Sequence, residues 1–156
     1  MVEDKIGQVM SKPVRTVKSN EMLRAALVLM ENNDISSVIV VQGESPVGVV
    51  TERDVVRQIL KRPLVLEEPV EHVMSKPVVT GSPSMSVQEA IDLMLKNKIR
   101  QLPIMEGNSL VGIVSDKDLM RSVLRISYEK LSKPNLREWE IEAARIAAQI
   151  ITLANL

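Results

Sequence analysis

The feature that most restricts how this chain folds is a segment it contains twice. Val9-Met10-Ser11-Lys12-Pro13-Val14 returns 64 residues later as Val73-Met74-Ser75-Lys76-Pro77-Val78. The same offset, applied without a gap, pairs Thr16 with Thr80, Ala26 with Ala90, Met30 with Met94, Ile35 with Ile99, Gly43 with Gly107, Gly48 with Gly112, Asp54 with Asp118 and Arg57 with Arg121. Of the 49 positions from Val9 to Arg57, 19 are identical. Chance alignment at average residue usage yields about 3, so the chain carries an internal duplication. Two copies are too few for a solenoid. Each copy, at roughly 50 to 60 residues, is near the lower limit for standing alone. The expected solution is a closed pair related by a pseudo-twofold axis, with the two copies burying their sheets against each other.

Within each copy the patterns agree on element order. Lys-Pro-Val-x-Thr reads as a short extended entry, because the residue before proline is pushed out of the helical region. Ser19 or Asn20 is the expected cap of an amphipathic helix carrying Met22, Ala26, Leu29 and Met30. The second copy shows the capping-box signature Ser86-Val87-Gln88-Glu89 ahead of Ile91, Met94 and Leu95. Both helices are expected to end near an asparagine, Asn33 and Asn97. Val38 to Val41, a turn at Gly43-Glu44-Ser45-Pro46 and Val47 to Val50 then predict a β-hairpin. Its counterpart is Leu102 to Met105, Gly107-Asn108-Ser109 and Val111 to Val114. A second helix follows, from Thr51 to Lys61 and from Ser115 to Leu124. The fold class is α/β (α+β): two β-α-β-β-α repeats, at residues 1–64 and 65–127, and a tail at 128–156.

Where hairpin meets second helix, both copies carry one pattern: Gly48-Val49-Val50-Thr51-Glu52-Arg53-Asp54 and Gly112-Ile113-Val114-Ser115-Asp116-Lys117-Asp118. A glycine, two β-branched aliphatics, a hydroxyl residue and an aspartate three positions on describe a buried strand running into a helix N-terminus. Free backbone N–H groups and the positive end of the helix dipole suit such a junction to an anion or a sugar-phosphate. The plainer reading is an ordinary helix cap, with Thr51 and Ser115 as N-caps and acidic residues favoured by the dipole. Against it, aspartate is expected to be short for the reach-back position of a capping box, where Glu or Gln is usual.

These residues carry a family resemblance. The ungapped tandem, the β-α-β-β-α order, the Met-Ser-Lys-Pro-Val entry and the paired Gly-h-h-Thr/Ser-x-x-Asp junctions resemble a CBS domain pair, or Bateman module, over about Ile6 to Leu124. The resemblance implies a stand-alone regulatory module that senses adenosine-containing ligands, AMP, ADP or ATP, or in a variant S-adenosylmethionine, in clefts between the repeats. Asp54 and Asp118 are then expected to hold ribose hydroxyls, and Thr51 and Ser115 ribose or phosphate. An ionised aspartate accepts both hydroxyls of a diol, each bond to the charged group contributing about 1.5 to 3 kcal/mol. Arg53 and Lys117, with Arg57 and Arg121 one turn on, are candidates for phosphate; the alternative is solvated helix charge. Thr16 and Thr80 are candidates for the adenine edge. The base is expected between aliphatics: Val14, Ile35 and Val38 in one copy, and Val78, Ile99, Leu102 and Pro103 in the other. Arg100, where the first copy has Ser36, is a further phosphate candidate, so the two sites are expected to differ, with the Asp118 site the tighter or the more tolerant of phosphate.

Composition closes other routes. Twenty basic residues balance twenty acidic ones, so no net field draws the chain to nucleic acid or an anionic membrane. There is no cysteine and no phenylalanine, and Tyr128 and Trp139 are the only aromatics. Thiolate chemistry and base-stacking platforms are therefore missing. Without a catalytic triad, a Walker loop or a partner for His72, the single histidine, the expectation is a non-enzyme without catalytic cofactor or metal. Nothing resembles a signal peptide or a membrane span, and a cytoplasmic protein is expected. In the tail, Ser132-Lys133-Pro134-Asn135 reads as a linker and helix start. Leu136, Trp139, Ala143, Ile146, Ile150 and Leu153 then form one apolar stripe of about five turns. This helix is expected either to pack on the module or to build a homodimer. The expected partners are the adenosine ligand, a second copy of the chain and an unidentified regulated protein; the rival reading is a constitutive scaffold without ligand.

Overall fold

The computed structural model describes residues 4–130 and 136–156. The element order is α1 (Ile6–Val9), β1 (Thr16–Lys18), α2 (Leu23–Asn33), β2 (Ser37–Gln42), β3 (Ser45–Thr51), α3 (Glu52–Lys61), 3-10 turns at Pro63–Glu67 and Val70–His72, α4 (Val87–Asn97), β4 (Gln101–Glu106), β5 (Ser109–Ser115), α5 (Asp116–Lys130) and α6 (Leu136–Ala154). This is the expected mixture of helix and strand in two repeats with a C-terminal helix. The expected linker Ser132–Asn135 lies outside the described residues, as do the side chains of Leu136 and Trp139.

The chain divides into two compact units. One comprises Met1–Lys12, Val79–Glu106 and Val111–Leu156; the other comprises Pro13–Val78 and Gly107–Leu110. The duplicated leader is thus not used by the repeat it introduces. In the first of these units Ser11 and Ile113 pair as an antiparallel bridge, N–H to carbonyl at 2.9 and 3.1 Å. In the other, Ser75 and Val49 pair in the same way at 2.8 and 3.2 Å.

Each leader brings a methionine down on a glycine. A Cβ at Gly48 would lie 2.7 Å from Met74 Cγ and 2.9 Å from its Cβ; one at Gly112 would lie 2.8 Å from Met10 Cγ and 3.1 Å from its Cβ. Carbon atoms do not approach so closely, so only glycine lets the leader seat on the strand.

In the Pro13–Val78 unit, β1 runs parallel to β2, and β2 antiparallel to β3 through a turn in which Gly43 takes φ 64°. Val38, Ile39 and Val40 are fully buried, as a central strand of continuous apolar residues requires. Leu23, Ala26 and Met30 of α2 pack with Val55, Val65, Val70 and Val73 over Val38 and Val40. Neither Ser19 nor Asn20 caps α2. Its N-cap is Met22, without a side-chain cap, and the Leu23 N–H is satisfied by the carbonyl of Glu68 at 2.9 Å. A tertiary contact therefore replaces the local cap.

The other unit differs where its sequence removes a donor. In the first repeat the Ile39 N–H donates to the carbonyl of Arg15 at 3.1 Å and opens the β1–β2 ladder. The corresponding residue of the second repeat is Pro103, which has no N–H, and Gly81 stands where the first repeat has Val17. The entry shrinks to a single parallel bridge, Gly81 to Ile104, with Gly81 N–H to Pro103 carbonyl at 2.9 Å. The capping box of α4 forms as expected: Glu89 N–H to Ser86 Oγ at 3.1 Å and Ser86 N–H to Glu89 Oε2 at 2.7 Å. The Ser86 N–H bond, then its hydroxyl, hold the Glu89 carboxyl below its usual range. α5 runs past the expected end at Leu124 to Lys130, supported by an Arg125–Glu129 pair at 3.1 Å.

α6 packs on its own chain. Ile146, Ile150 and Leu153 are buried in one core with Val87, Ala90, Ile91 and Met94 of α4 and Leu119 and Val123 of α5. Gln88 Nε2 donates to Gln149 Oε1 at 3.1 Å, and Arg145 Nη2 to Gln88 Oε1 at 3.0 Å. The Ala143, Ile146, Ile150 and Leu153 part of the apolar stripe thereby packs in cis, against the core that α4 and α5 share.

Two outcomes are expected in urea denaturation. Gly112→Ala should destabilise by about 1–3 kcal/mol, typical of overpacking, and trimming Met10 to Ala in the same chain should recover part of that loss. Ile150→Ala should cost about 2–5 kcal/mol through the cavity it leaves.

Candidate functional site

Each repeat ends its second hairpin strand on a hydroxyl residue that becomes the N-cap of the next helix. At the first junction Thr51 has φ −112° and ψ 161°, which directs its own N–H and side chain toward the first turn of α3. Asp54 N–H donates to Thr51 Oγ1 at 3.2 Å, and Thr51 N–H donates to Asp54 Oδ2 at 3.0 Å. At the second junction the same pair recurs: Asp118 N–H to Ser115 Oγ at 3.4 Å and Ser115 N–H to Asp118 Oδ2 at 2.9 Å. Aspartate is therefore not too short to reach back, contrary to the expectation from capping preferences. The extended N-cap backbone brings the donor to the carboxylate, so both aspartates act as helix caps.

A carboxylate has about four acceptor positions, and capping uses only part of that capacity. At Asp54, which is half-buried, Oδ2 takes the Thr51 N–H, and among the described residues Oδ1 accepts nothing. At Asp118, which is 7% exposed, Oδ2 takes both the N–H and the hydroxyl of Ser115, the latter at 3.0 Å. Its Oδ1 accepts the Ser11 hydroxyl at 2.7 Å and lies 3.6 Å from Arg121 Nη1. Sequence reading did not foresee Ser11. The signal available was the serine repeated in both leaders, whose placement depends on the exchange.

The remaining candidates fall into three groups. Val38 and Leu102 are fully buried, each in the core of its own unit, and Pro103 is buried as well. Val14, Ile35, Val78 and Ile99 are half-buried; Thr16 and Thr80 are exposed, Thr16 within β1. Arg53, Arg57, Lys117 and Arg121 lie on exposed helix surface, Arg121 with its side chain 76% accessible. His72 is exposed, with Nδ1 3.5 Å from Glu68 Oε2.

Arg100 is engaged. Its Nη2 donates to Asp116 Oδ2 at 3.2 Å, and Asp116 is itself 7% exposed at the start of α5. Among the described residues the Nε of Arg100 is buried without an acceptor. The guanidinium thus neutralises a buried carboxylate at the helix start while keeping one donor in reserve. Arg100→Ala leaves that carboxylate unpaired and should lower stability by about 1–3 kcal/mol, measured by urea denaturation, with Arg100→Lys recovering part of it.

Comparison with known proteins fits these features. The family profile described as CBS domain matches residues 6–61 and 70–125. An uncharacterized 17.7 kDa protein of Acidianus ambivalens is 35% identical over 132 residues, covering 83% of this chain and 79% of that protein. An inosine-5'-monophosphate dehydrogenase of Nitrosopumilus maritimus is 33% identical over 72% of this chain, a stretch that makes up 23% of the enzyme. Among solved structures, a protein with CBS domains from Burkholderia ambifaria MC40-6 is 33% identical with TM-score 0.71, covering 78% of this chain and 94% of that one. The CBS domain pair of protein MJ0100, solved in complex with 5-methylthioadenosine and S-adenosyl-L-methionine, shares the fold at TM-score 0.68 and 24% identity, covering 76% of this chain and 94% of that one. With both repeats matched over most of its length, this chain belongs to the CBS-domain family.

Proposed function

We propose that the chain is a non-catalytic regulatory module that binds an adenosine-containing ligand at its strand-to-helix junctions and passes the bound state to a protein partner. The observation that carries this is Asp54. Its Oδ2 completes the cap of α3 while Oδ1 accepts nothing among the described residues. A half-buried carboxylate with an open oxygen, fixed at a helix N-terminus, suits a vicinal diol. The buried Nε of Arg100 near the start of α5, without an acceptor among the described residues, is a second donor suited to a ligand oxygen. The MJ0100 pair supports the ligand class, since both molecules named in its complex contain adenosine. AMP, ADP, ATP and S-adenosylmethionine share that moiety.

For the partner, the exposed apolar side chains are the support. Leu60 and Leu64 are each 81% exposed, and Leu124 and Tyr128, at the equivalent places of the second repeat, are 64% and 78% exposed. Apolar surface of this kind, repeated in both units, suits a second copy of the chain or a regulated protein. Among the described residues no helix is long and apolar enough to cross a membrane.

A thermal-denaturation panel of AMP, ADP, ATP, 5′-methylthioadenosine and S-adenosylmethionine, with GMP as control, tests the reading. A true ligand at a hundredfold excess over its Kd stabilises by about 2.7 kcal/mol; Asp54→Ala should remove a large part of that gain. If no adenosine compound raises the midpoint, the constitutive scaffold is the better account.

A further inference from the structure

The two junctions match in backbone and differ in the donors that reach the aspartate, which at Asp118 include the Ser115 and Ser11 hydroxyls and, 3.6 Å away, Arg121 Nη1. Ser11 and Ser75 occupy equivalent places in the two leaders, and each forms an antiparallel bridge with the residue two before a hydroxyl N-cap, Ile113 and Val49. Both bridges hold the serine backbone on both sides of the residue. Yet the Ser11 hydroxyl donates to Asp118 Oδ1 at 2.7 Å, whereas among the described residues the Ser75 hydroxyl donates nothing to Asp54. Resting on the adenosine reading above, we propose that Ser11 is an internal competitor for the second site: its hydroxyl occupies the position on Asp118 that a ribose hydroxyl would take, so the Thr51–Asp54 junction fills first and the Ser115–Asp118 junction only when Ser11 is displaced.

The acceptor positions decide this. A ribose diol brings two hydroxyl donors. At Asp54 both positions on Oδ1 and one on Oδ2 are unclaimed among the described residues, so a diol binds without removing any of their donors. At Asp118 both positions on Oδ2 are taken by Ser115, and Oδ1 holds the Ser11 hydroxyl and faces Arg121. Binding there exchanges one hydroxyl for another and gains only the difference, where binding at Asp54 gains a full charge-assisted bond. The exposed Ser11 side chain has room to turn away, because its seat on β5 depends on backbone bonds and on Met10. The expected order of affinity is thus the reverse of that expected from Arg100, whose guanidinium is committed to Asp116.

The test uses the full chain and AMP, titrated by calorimetry. Asp54→Ala isolates the Ser115–Asp118 junction. Adding Ser11→Ala to it should tighten AMP binding about tenfold, the size of one charge-assisted bond at the low end of its range, whereas adding Ser11→Thr, which keeps a hydroxyl, should leave the weak affinity in place. In the reciprocal Asp118→Ala background, Ser75→Ala should change nothing. Affinity that is unchanged, weakened or unmeasurable in Asp54→Ala/Ser11→Ala, with wild type binding AMP, overturns the competitor role and leaves the adenosine reading intact. If wild type and every variant fail to bind AMP, 5′-methylthioadenosine and S-adenosylmethionine alike, both are overturned together.

Discussion

A methionine laid across a glycine backbone holds each unit together, and in both cases the methionine comes from the leader of the other repeat. Met10 on Gly112 and Met74 on Gly48 leave no room for a Cβ, and each contact is fixed in register by a two-bond antiparallel bridge one residue away. Much else depends on this seating. It brings Ser11 to Asp118, carries Asp4 to Ser122 and Arg125 on α5, and lays Val70 and Val73 into the core under α2 and β2. Methionine suits the task because its unbranched, polarizable side chain follows the shallow surface over a strand.

The aspartates carry more acceptor capacity than their structural task uses. A helix cap needs one carboxylate oxygen, so the other is left for whatever the surroundings supply. In the first repeat nothing on the described chain claims it; in the second, Ser11 does. Both carboxylates cap through Oδ2 and differ in the fate of Oδ1.

Elements set by local pattern were legible in the sequence. The hairpins, the Ser86–Glu89 capping box, the ends of α2 and α4 at Asn33 and Asn97, and the apolar face of α6 with Ile146, Ile150 and Leu153 all follow from periodicity and short-range chemistry. What escaped depends on partners distant in the chain. Leu23 is satisfied by Glu68, not by Ser19 or Asn20; Ser11 meets Asp118 across 107 positions; and Arg100 turns to Asp116. The lost β1 equivalent in the second repeat was readable in principle, because Pro103 withholds the N–H that Ile39 provides, but only once strand pairing was known. A duplication invites the assumption that each copy is its own folding unit, and side-chain identity cannot reveal an exchange of leaders.

That exchange also bears on how the chain is made. Synthesis delivers residues in order, and domains commonly begin to fold as they emerge. The stretch containing Met10 and Ser11 leaves the ribosome about a hundred residues before the strand it lies on, and its seat is complete only when Gly112 and Ile113 have been added. The strand around Gly48 likewise waits for Met74 and Ser75. Met10 is therefore kept off its native seat until Gly112 has emerged, and that contact closes over a long loop.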